Sequence, residues 1–177
     1  MIEFNKYNGI YTLKSKQKLK TSLSKSWEFY SNPKNLSKIT PKHMNFKILT
    51  DFNKIYEGQI IKYRVSPFPF LRVGWTTEIT HVEKPISFVD KQIAGPFSFW
   101  EHEHIFKENS SGLYAYDIVT FKLPLGIMGR ILGGWIVKNQ LKNIFEYRKN
   151  RLEKIFNTID FKFVAEAICD KPESFPI

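Results

Sequence analysis

The chain has a single cysteine, Cys169, among its 177 residues, so neither a disulfide framework nor a cysteine-based zinc site can form. No run approaches the roughly 18 consecutive apolar residues of a membrane span, and no charged-then-apolar leader opens the chain. A cytoplasmic protein is the resulting expectation. Acidic residues are scarce relative to basic ones: 17 Asp and Glu stand against 27 Lys and Arg, for a formal net charge of +10. Residues 158–177 carry Asp160, Glu166, Asp170 and Glu173 against Lys162 and Lys171, a net −2 that leaves +12 on residues 1–157. Such a surplus suits phosphate, anionic lipid or acidic ligands. Lys14, Lys16, Lys18 and Lys20, however, alternate along a strand-like segment and so share one solvated face. There is no helix-turn-helix, zinc knuckle, aromatic RNA-binding motif or KH loop, which argues against nucleic acid as a partner. Gly126, Gly129, Gly133 and Gly134 lack the strand-turn spacing of a phosphate-binding fingerprint. Cys169 has no neighbouring His to activate it.

What the chain has in abundance is aromatic side chains, 16% of residues with sixteen of them Phe. Aromatics at that density suit sheets and apolar cavities, and the length is that of one domain with a sizeable core. After the turn signal Asn8-Gly9, residues 10–20 read as a strand. Ser22 or Ser24 can cap a short helix through Tyr30, stopped by Asn32-Pro33, and a second short helix over about 34–39 ends at Ile39-Thr40-Pro41. Segments 45–51, 59–67, 72–82, 86–93, 98–107 and 113–123 read as strands, separated by hairpin-type breaks such as Gly95-Pro96 and Asn109-Ser110-Ser111-Gly112. That spacing describes an antiparallel meander rather than alternating βαβ units. One long helix follows over about 135–157, with Val137, Leu141, Ile144, Phe145, Leu152 and Ile155 in one stripe. Residues 158–177 lack periodicity and read as a tail or docked extension to a domain over 1–157.

The order of strand, two short helices, six strands and a long helix is that of an α+β helix-grip fold, a curved antiparallel sheet of about seven strands wrapped around a C-terminal helix. The motifs go further than the order. Trp75-Thr76-Thr77-Glu78-Ile79, Phe88-Val89-Asp90-Lys91-Gln92, Gly95-Pro96-Phe97, Trp100 through Phe106, Asp117 through Pro124, and Phe145-Glu146-Tyr147-Arg148 resemble the signature run of the SRPBCC (START-like, Bet v 1-like) superfamily. Within it they are similar to a bacterial branch of polyketide cyclase/dehydratase-like, lipid-transport-like or "cell division inhibitor"-like proteins. The resemblance spans about residues 12–155 and implies the fold more directly than any chemistry.

Alternation then decides which polar side chains meet. Trp100, His102, His104 and Phe106 share one face of their strand, and Glu101, Glu103 and Lys107 the other. By the same rule Trp75, Thr77 and Ile79 lie together, as do Phe88, Asp90 and Gln92, and Asp117, Val119 and Phe121. Arg148 falls at the centre of the helix stripe, between Ile144 and Leu152, and a guanidinium aimed into a core needs a carboxylate, Asp90 or Asp117. The expected ligand-binding set is therefore Trp75, Thr77, Asp90, Gln92, Trp100, His102, His104, Asp117, Phe121 and Arg148.

Three roles are open to the histidines. They can orient the polar end of a mostly apolar ligand, they can act as acid/base catalysts with Asp90, or they can join Asp90 in a metal-binding triad. The first is preferred. The third is set aside because the only other histidines are His43 and His81; His81 does share the Trp75/Thr77/Ile79 face, so a third imidazole stays open. No cofactor and no metal are expected. The functional expectation is binding or transport of a hydrophobic small molecule (a lipid, isoprenoid or polyketide-like compound) without catalysis. The alternative is a metal-free cyclase/dehydratase-type enzyme using His102, His104 and Asp90. Met128, Ile131, Leu132 and Trp135 fall opposite the buried stripe, and Gly133-Gly134 offers a break there. Residues 126–132 thus read as a separate lid, with Arg130, Lys138 and Lys142 suited to a weak contact with anionic membrane.

Overall fold

The computed structural model describes residues 1–51, 54–68, 71–124 and 126–169, and the side chains at 68, 126–133 and 158–169 lie outside the description. Eight strands form one sheet: β1 Ile2–Tyr7, β2 Ile10–Leu19, β3 Lys47–Ile48, β4 Ile60–Phe68, β5 Leu71–Glu83, β6 Ser87–Ala94, β7 Phe99–Asn109 and β8 Gly112–Lys122. Their spatial order is β1-β2-β8-β7-β6-β5-β4-β3, and every pairing is antiparallel. After β2 come the short helix α1 (Leu23–Tyr30) and two single 3-10 segments, Pro33–Ile39 and Lys42–Met44. The chain closes with α2, Gly126–Cys169. The architecture is the expected α+β helix-grip fold. Among the described residues no helix is long and apolar enough to cross a membrane.

Local chemistry accounts for these elements. Asn8 and Gly9 hold positive φ values of 46° and 78°, the pair of left-handed residues that a two-residue hairpin turn demands. That turn joins β2 to β1, a strand the sequence pattern does not announce, because only Ile2 and Phe4 of this edge strand are even half-buried. Ser22 caps α1, its Oγ accepting from the Lys25 N–H at 3.3 Å. Asn32 caps the Pro33–Ile39 segment in the same way at 3.0 Å. The Lys14, Lys16, Lys18 and Lys20 side chains are all exposed, on the sheet's outer face.

Two features of the sheet and helix depart from expectation. The pairing of β5 with β6 slips between Ile79 and His81. The extra residue, Thr80, reverses the in-out alternation beyond it. Thr77 and Ile79 are buried, whereas His81 is exposed and stands 3.9 Å from Glu57; it is therefore not the third imidazole that strict alternation allows. Helix α2, in turn, runs unbroken through Gly133-Gly134, so residues 126–132 are not a separate helix. Gly134 serves close approach: a Cβ there would sit 2.8 Å from the Tyr11 hydroxyl of β2. The side chains of the proposed lid, Met128, Ile131 and Leu132 with Arg130, lie outside the described residues, as does the structure of 170–177.

The core divides into two apolar halves. One gathers Leu19, Trp27, Phe88, Phe106, Leu113, Leu152 and Phe156; the other gathers Tyr11, Leu13, Trp100, Val119, Phe121, Leu141 and Phe145. Each of three elements crosses from one half to the other through a polar position. On β7 it is His102 and His104 between Trp100 and Phe106, on β8 it is Asp117 between Ala115 and Val119, and on α2 it is Arg148 between Phe145 and Leu152. All four polar residues are buried.

Candidate functional site

The polar layer is built by register. Asp90 of β6 pairs with His102 of β7, and His104 pairs with Asp117 of β8, so two carboxylates flank two imidazoles on the inner face. His102 Nε2 lies 3.0 Å from Asp117 Oδ1, in hydrogen-bonding geometry. His104 Nδ1 is also 3.0 Å from that oxygen but off the line of a hydrogen bond, so this contact is electrostatic only. On the other side Asp90 Oδ2 stands 3.7 Å from His102 Nδ1 and 3.4 Å from His104 Nε2. The two rings lie over each other with centroids 3.8 Å apart, and Phe88 stacks on His104 at 4.2 Å.

Arg148 reaches this layer from α2. Its Nη1 lies 3.7 Å from Asp117 Oδ1 and its guanidinium carbon 4.7 Å above the Phe145 ring. Neither Nη1 nor Nε has a hydrogen-bond partner, although both are buried. The sequence pointed to Asp90 or Asp117 as the carboxylate for Arg148; the structure brings it to Asp117.

Burial and charge act against each other here. Burial and then the neighbouring His104 lower the His102 pKa, with Asp117 and Asp90 opposing. Burial alone would lower His104 as well, but its contacts with Asp117 and Asp90 reverse the sign and raise it. Burial would raise Asp117, yet His102 and His104 hold its carboxyl well below the usual carboxylate range. Two tyrosines at the layer, Tyr30 and Tyr63, are pushed up chiefly by burial and then by Asp117 and Asp90 respectively.

A cavity of about 160 Å³ opens beside the layer. Its walls are Leu36, Thr40, Met44, Phe46, Tyr63, Val65, Trp75, Thr77, Trp100, Leu141, Ile144 and Phe145, and its polar end is Asp90, His102, His104 and Arg148. A smaller space of about 60 Å³ under Pro33–Ile39 shares Leu36, Tyr63, Asp90, His104 and Arg148 with it. Of the expected ligand-binding residues, Trp75, Thr77, Asp90, Trp100, His102, His104 and Arg148 meet at the larger cavity. Asp117 lies behind the histidines, where it acts on them and on Arg148. Gln92 is occupied elsewhere: its Nε2 donates to the Phe97 carbonyl at 2.7 Å and its Oε1 accepts from the Phe97 N–H at 3.4 Å, closing the turn after β6. Phe121 is 1% exposed and stacks on Tyr11 at 5.2 Å, behind the wall.

Sequence reasoning missed Tyr63, which contacts Thr77 at 3.5 Å, although Ile61, Tyr63 and Val65 alternate within one strand and give the signal. It also missed the floor formed by Leu36, Thr40, Met44 and Phe46, since those residues lie in 3-10 turns and loops without periodicity.

The fold is the Bet v 1-like, SRPBCC helix-grip fold. Among solved structures the chain is similar to a Mycobacterium smegmatis protein at a TM-score of 0.64 and 13% identity, covering 90% of this chain and 98% of that one. It is similar to a Chromobacterium violaceum protein at a TM-score of 0.61 and 12% identity, over 82% of this chain and 96% of that one. It is also similar to ginseng major latex-like protein 151 from Panax ginseng, at a TM-score of 0.59 and 9% identity, over 83% of this chain and 97% of that one. At these identities the likeness is one of fold. No family model matches the chain, and no curated protein matches it by sequence.

Proposed function

We infer that the protein binds a compact hydrophobic small molecule carrying at least one acceptor oxygen, without transforming it. One observation carries the reading: a cavity walled by aliphatic and aromatic side chains is bordered by residues whose buried N–H donors lack a hydrogen-bond partner. Trp75 Nε1, Arg148 Nε and Arg148 Nη1 are all buried without a hydrogen-bond partner, Nη1 having only its 3.7 Å ionic contact with Asp117. A buried donor left unsatisfied costs about 1–3 kcal/mol, and a carbonyl or carboxylate oxygen would recover that. The cavity's volume of about 160 Å³ equals on the order of ten water-sized spheres. It suits a short isoprenoid or an aromatic ketone or acid better than a whole diacyl lipid. Transport or sensing in the cytoplasm fits such a binder.

Native mass spectrometry of the purified chain, with thermal-shift screening against short isoprenoids, aromatic ketones and their carboxylic acids, tests this. Binding of oxygen-bearing compounds over their hydrocarbon analogues is the expected result. Equal affinity for both, or none for either, would remove the reading.

The cyclase/dehydratase alternative has one specific observation in its favour. Burial lowers His102, while Asp117 and Asp90 raise the adjacent His104, the divergence an acid–base pair would need. Against it, both imidazoles are clamped between carboxylates, with His102 Nε2 hydrogen-bonded to Asp117. Turnover of a polyketide-like substrate that disappears in both His102→Gln and His104→Gln would favour catalysis.

A further inference from the structure

We propose that Asp90, His102 and His104 are the protein ligands of a divalent first-row transition ion, with Zn²⁺ the best match. The site goes beyond the small-molecule reading and stands without it. His102 Nε2 and His104 Nδ1 both face Asp117 Oδ1 at 3.0 Å, while the opposite ring atoms, His102 Nδ1 and His104 Nε2, both face Asp90 Oδ2. A neutral imidazole carries one N–H. With those protons on the Asp117 side, two nitrogen lone pairs confront a carboxylate in a buried space. A cation between them resolves the conflict. A single proton serves one nitrogen; a metal ion serves all three donors together.

The spacing favours the ion. Tetrahedral Zn²⁺ with bonds of about 2.0–2.1 Å separates its ligand atoms by about 3.3 Å. The two edges running from Asp90 Oδ2 are 3.4 Å and 3.7 Å. A charge-assisted N–H···O bond would be shorter, about 2.7–2.9 Å. All three donor atoms lie within 4.8 Å of one another. Two imidazoles and one carboxylate form a ligand set that suits first-row ions and keeps a coordination position open. Here that position faces the cavity, which Asp90, His102 and His104 all border.

The surroundings match a metal centre as well. Metal-bound histidines almost always give their second N–H to a carboxylate or carbonyl, which fixes the tautomer and raises ligand basicity. Asp117 offers one oxygen to both outer nitrogens; the His102 bond is formed, and the His104 ring needs a small rotation to align. His102 and His104 are 6% and 8% exposed, so the site is shielded from bulk water. Arg148, 3.7 Å from Asp117, offsets part of that carboxylate's charge.

The test uses the full chain, stripped with a chelator, dialysed and titrated calorimetrically with Zn²⁺ or Co²⁺ alone, so the loss of any organic ligand leaves the readout untouched. Expected are one ion per folded chain, a melting temperature that rises with free ion, and visible Co²⁺ absorption of low-coordinate nitrogen and oxygen ligation. Asp90→Asn and His104→Gln should each weaken binding by more than the roughly 10–100-fold that follows loss of an outer-shell partner. The double variant His43→Gln/His81→Gln, at two exposed positions, should bind as wild type does. A folded wild-type chain that takes up no stoichiometric ion overturns the proposal and leaves a proton as the occupant. So does binding that survives Asp90→Asn and His104→Gln and vanishes with His43 and His81. Should either site variant fail to fold, wild-type stoichiometry and the Co²⁺ spectrum decide the matter.

Discussion

Removal of Arg148 should cost far less stability than neutralisation of Asp117, although the two face each other. At 3.7 Å and an effective dielectric constant of about 20, their attraction is about 4 kcal/mol. The effective penalty for burying each ion is itself several kcal/mol, and removing one partner of a buried pair costs about 3–5 kcal/mol only where it leaves the other charge uncompensated. Arg148 makes its contact with Asp117 without a hydrogen bond from Nη1 or Nε, and Asp117 keeps His102 and His104 at 3.0 Å when it leaves. Arg148→Met fills the same channel with apolar atoms and forfeits a cation–π contact over Phe145 worth about 1–2 kcal/mol. We expect a net loss of about 1 kcal/mol. Asp117→Asn keeps the shape but leaves Arg148 and the imidazoles without their shared carboxylate, and should cost about 3–5 kcal/mol. For a chain of this length 1 kcal/mol moves the melting temperature by about 2–4 °C. The Asn variant should therefore fall by roughly 6–20 °C and the Met variant by only a few. Urea midpoints at unchanged slope provide the second reading. If Arg148→Met destabilises as much as Asp117→Asn, Arg148 is a structural clamp and its unpaired donors are not reserved for a ligand.

The remaining predictions concern packing, the cavity's donors and the surface. Gly134→Ala gains about 1 kcal/mol of helix propensity but drives a Cβ to 2.8 Å from the Tyr11 hydroxyl. It should therefore destabilise by about 1–3 kcal/mol, and Tyr11→Phe in the same chain should restore most of that in a double-mutant cycle. Leu152→Ala, at a side chain 1% exposed in the half of the core away from Trp100, should cost about 3–5 kcal/mol by chemical denaturation while ligand affinity in the folded fraction stays unchanged. Trp75→Phe removes the buried, unpaired Nε1–H and should weaken oxygen-bearing ligands about tenfold, leaving their hydrocarbon analogues unaffected, by isothermal titration. Trp135 is 75% exposed and Ile136 44% exposed on α2, beside the exposed Lys138. Partition to anionic vesicles should fall in Trp135→Ala, and a wild-type chain that ignores such vesicles ends the membrane-contact reading.

The sequence by itself determined most of the elements, β1 and the full extent of α2 excepted, and most of the inner face. Period-two alternation placed His102 and His104 beside Trp100 and Phe106, and Asp117 beside Val119 and Phe121, because side chains on a strand have only two directions to take. The 3.6-residue period of α2 put Arg148 in line with Leu141, Phe145 and Leu152 for the same kind of local reason. Tertiary structure alone decided how those faces meet. Strand register is a long-range property, and it set Asp117 opposite His104 and Asp90 opposite His102, turning four scattered polar residues into one layer. A single extra residue at Thr80 turned His81 to solvent, which no alternation rule can foresee because a bulge is fixed by the partner strand. Gln92 was spent on a turn whose backbone needed it, and Phe121 on packing against Tyr11. The sequence offered Asp90 as the carboxylate beside the two histidines but no third imidazole on a facing strand; pairing of the strands is what brings residues 90, 102, 104 and 117 to within 3.0–3.7 Å of one another across the layer.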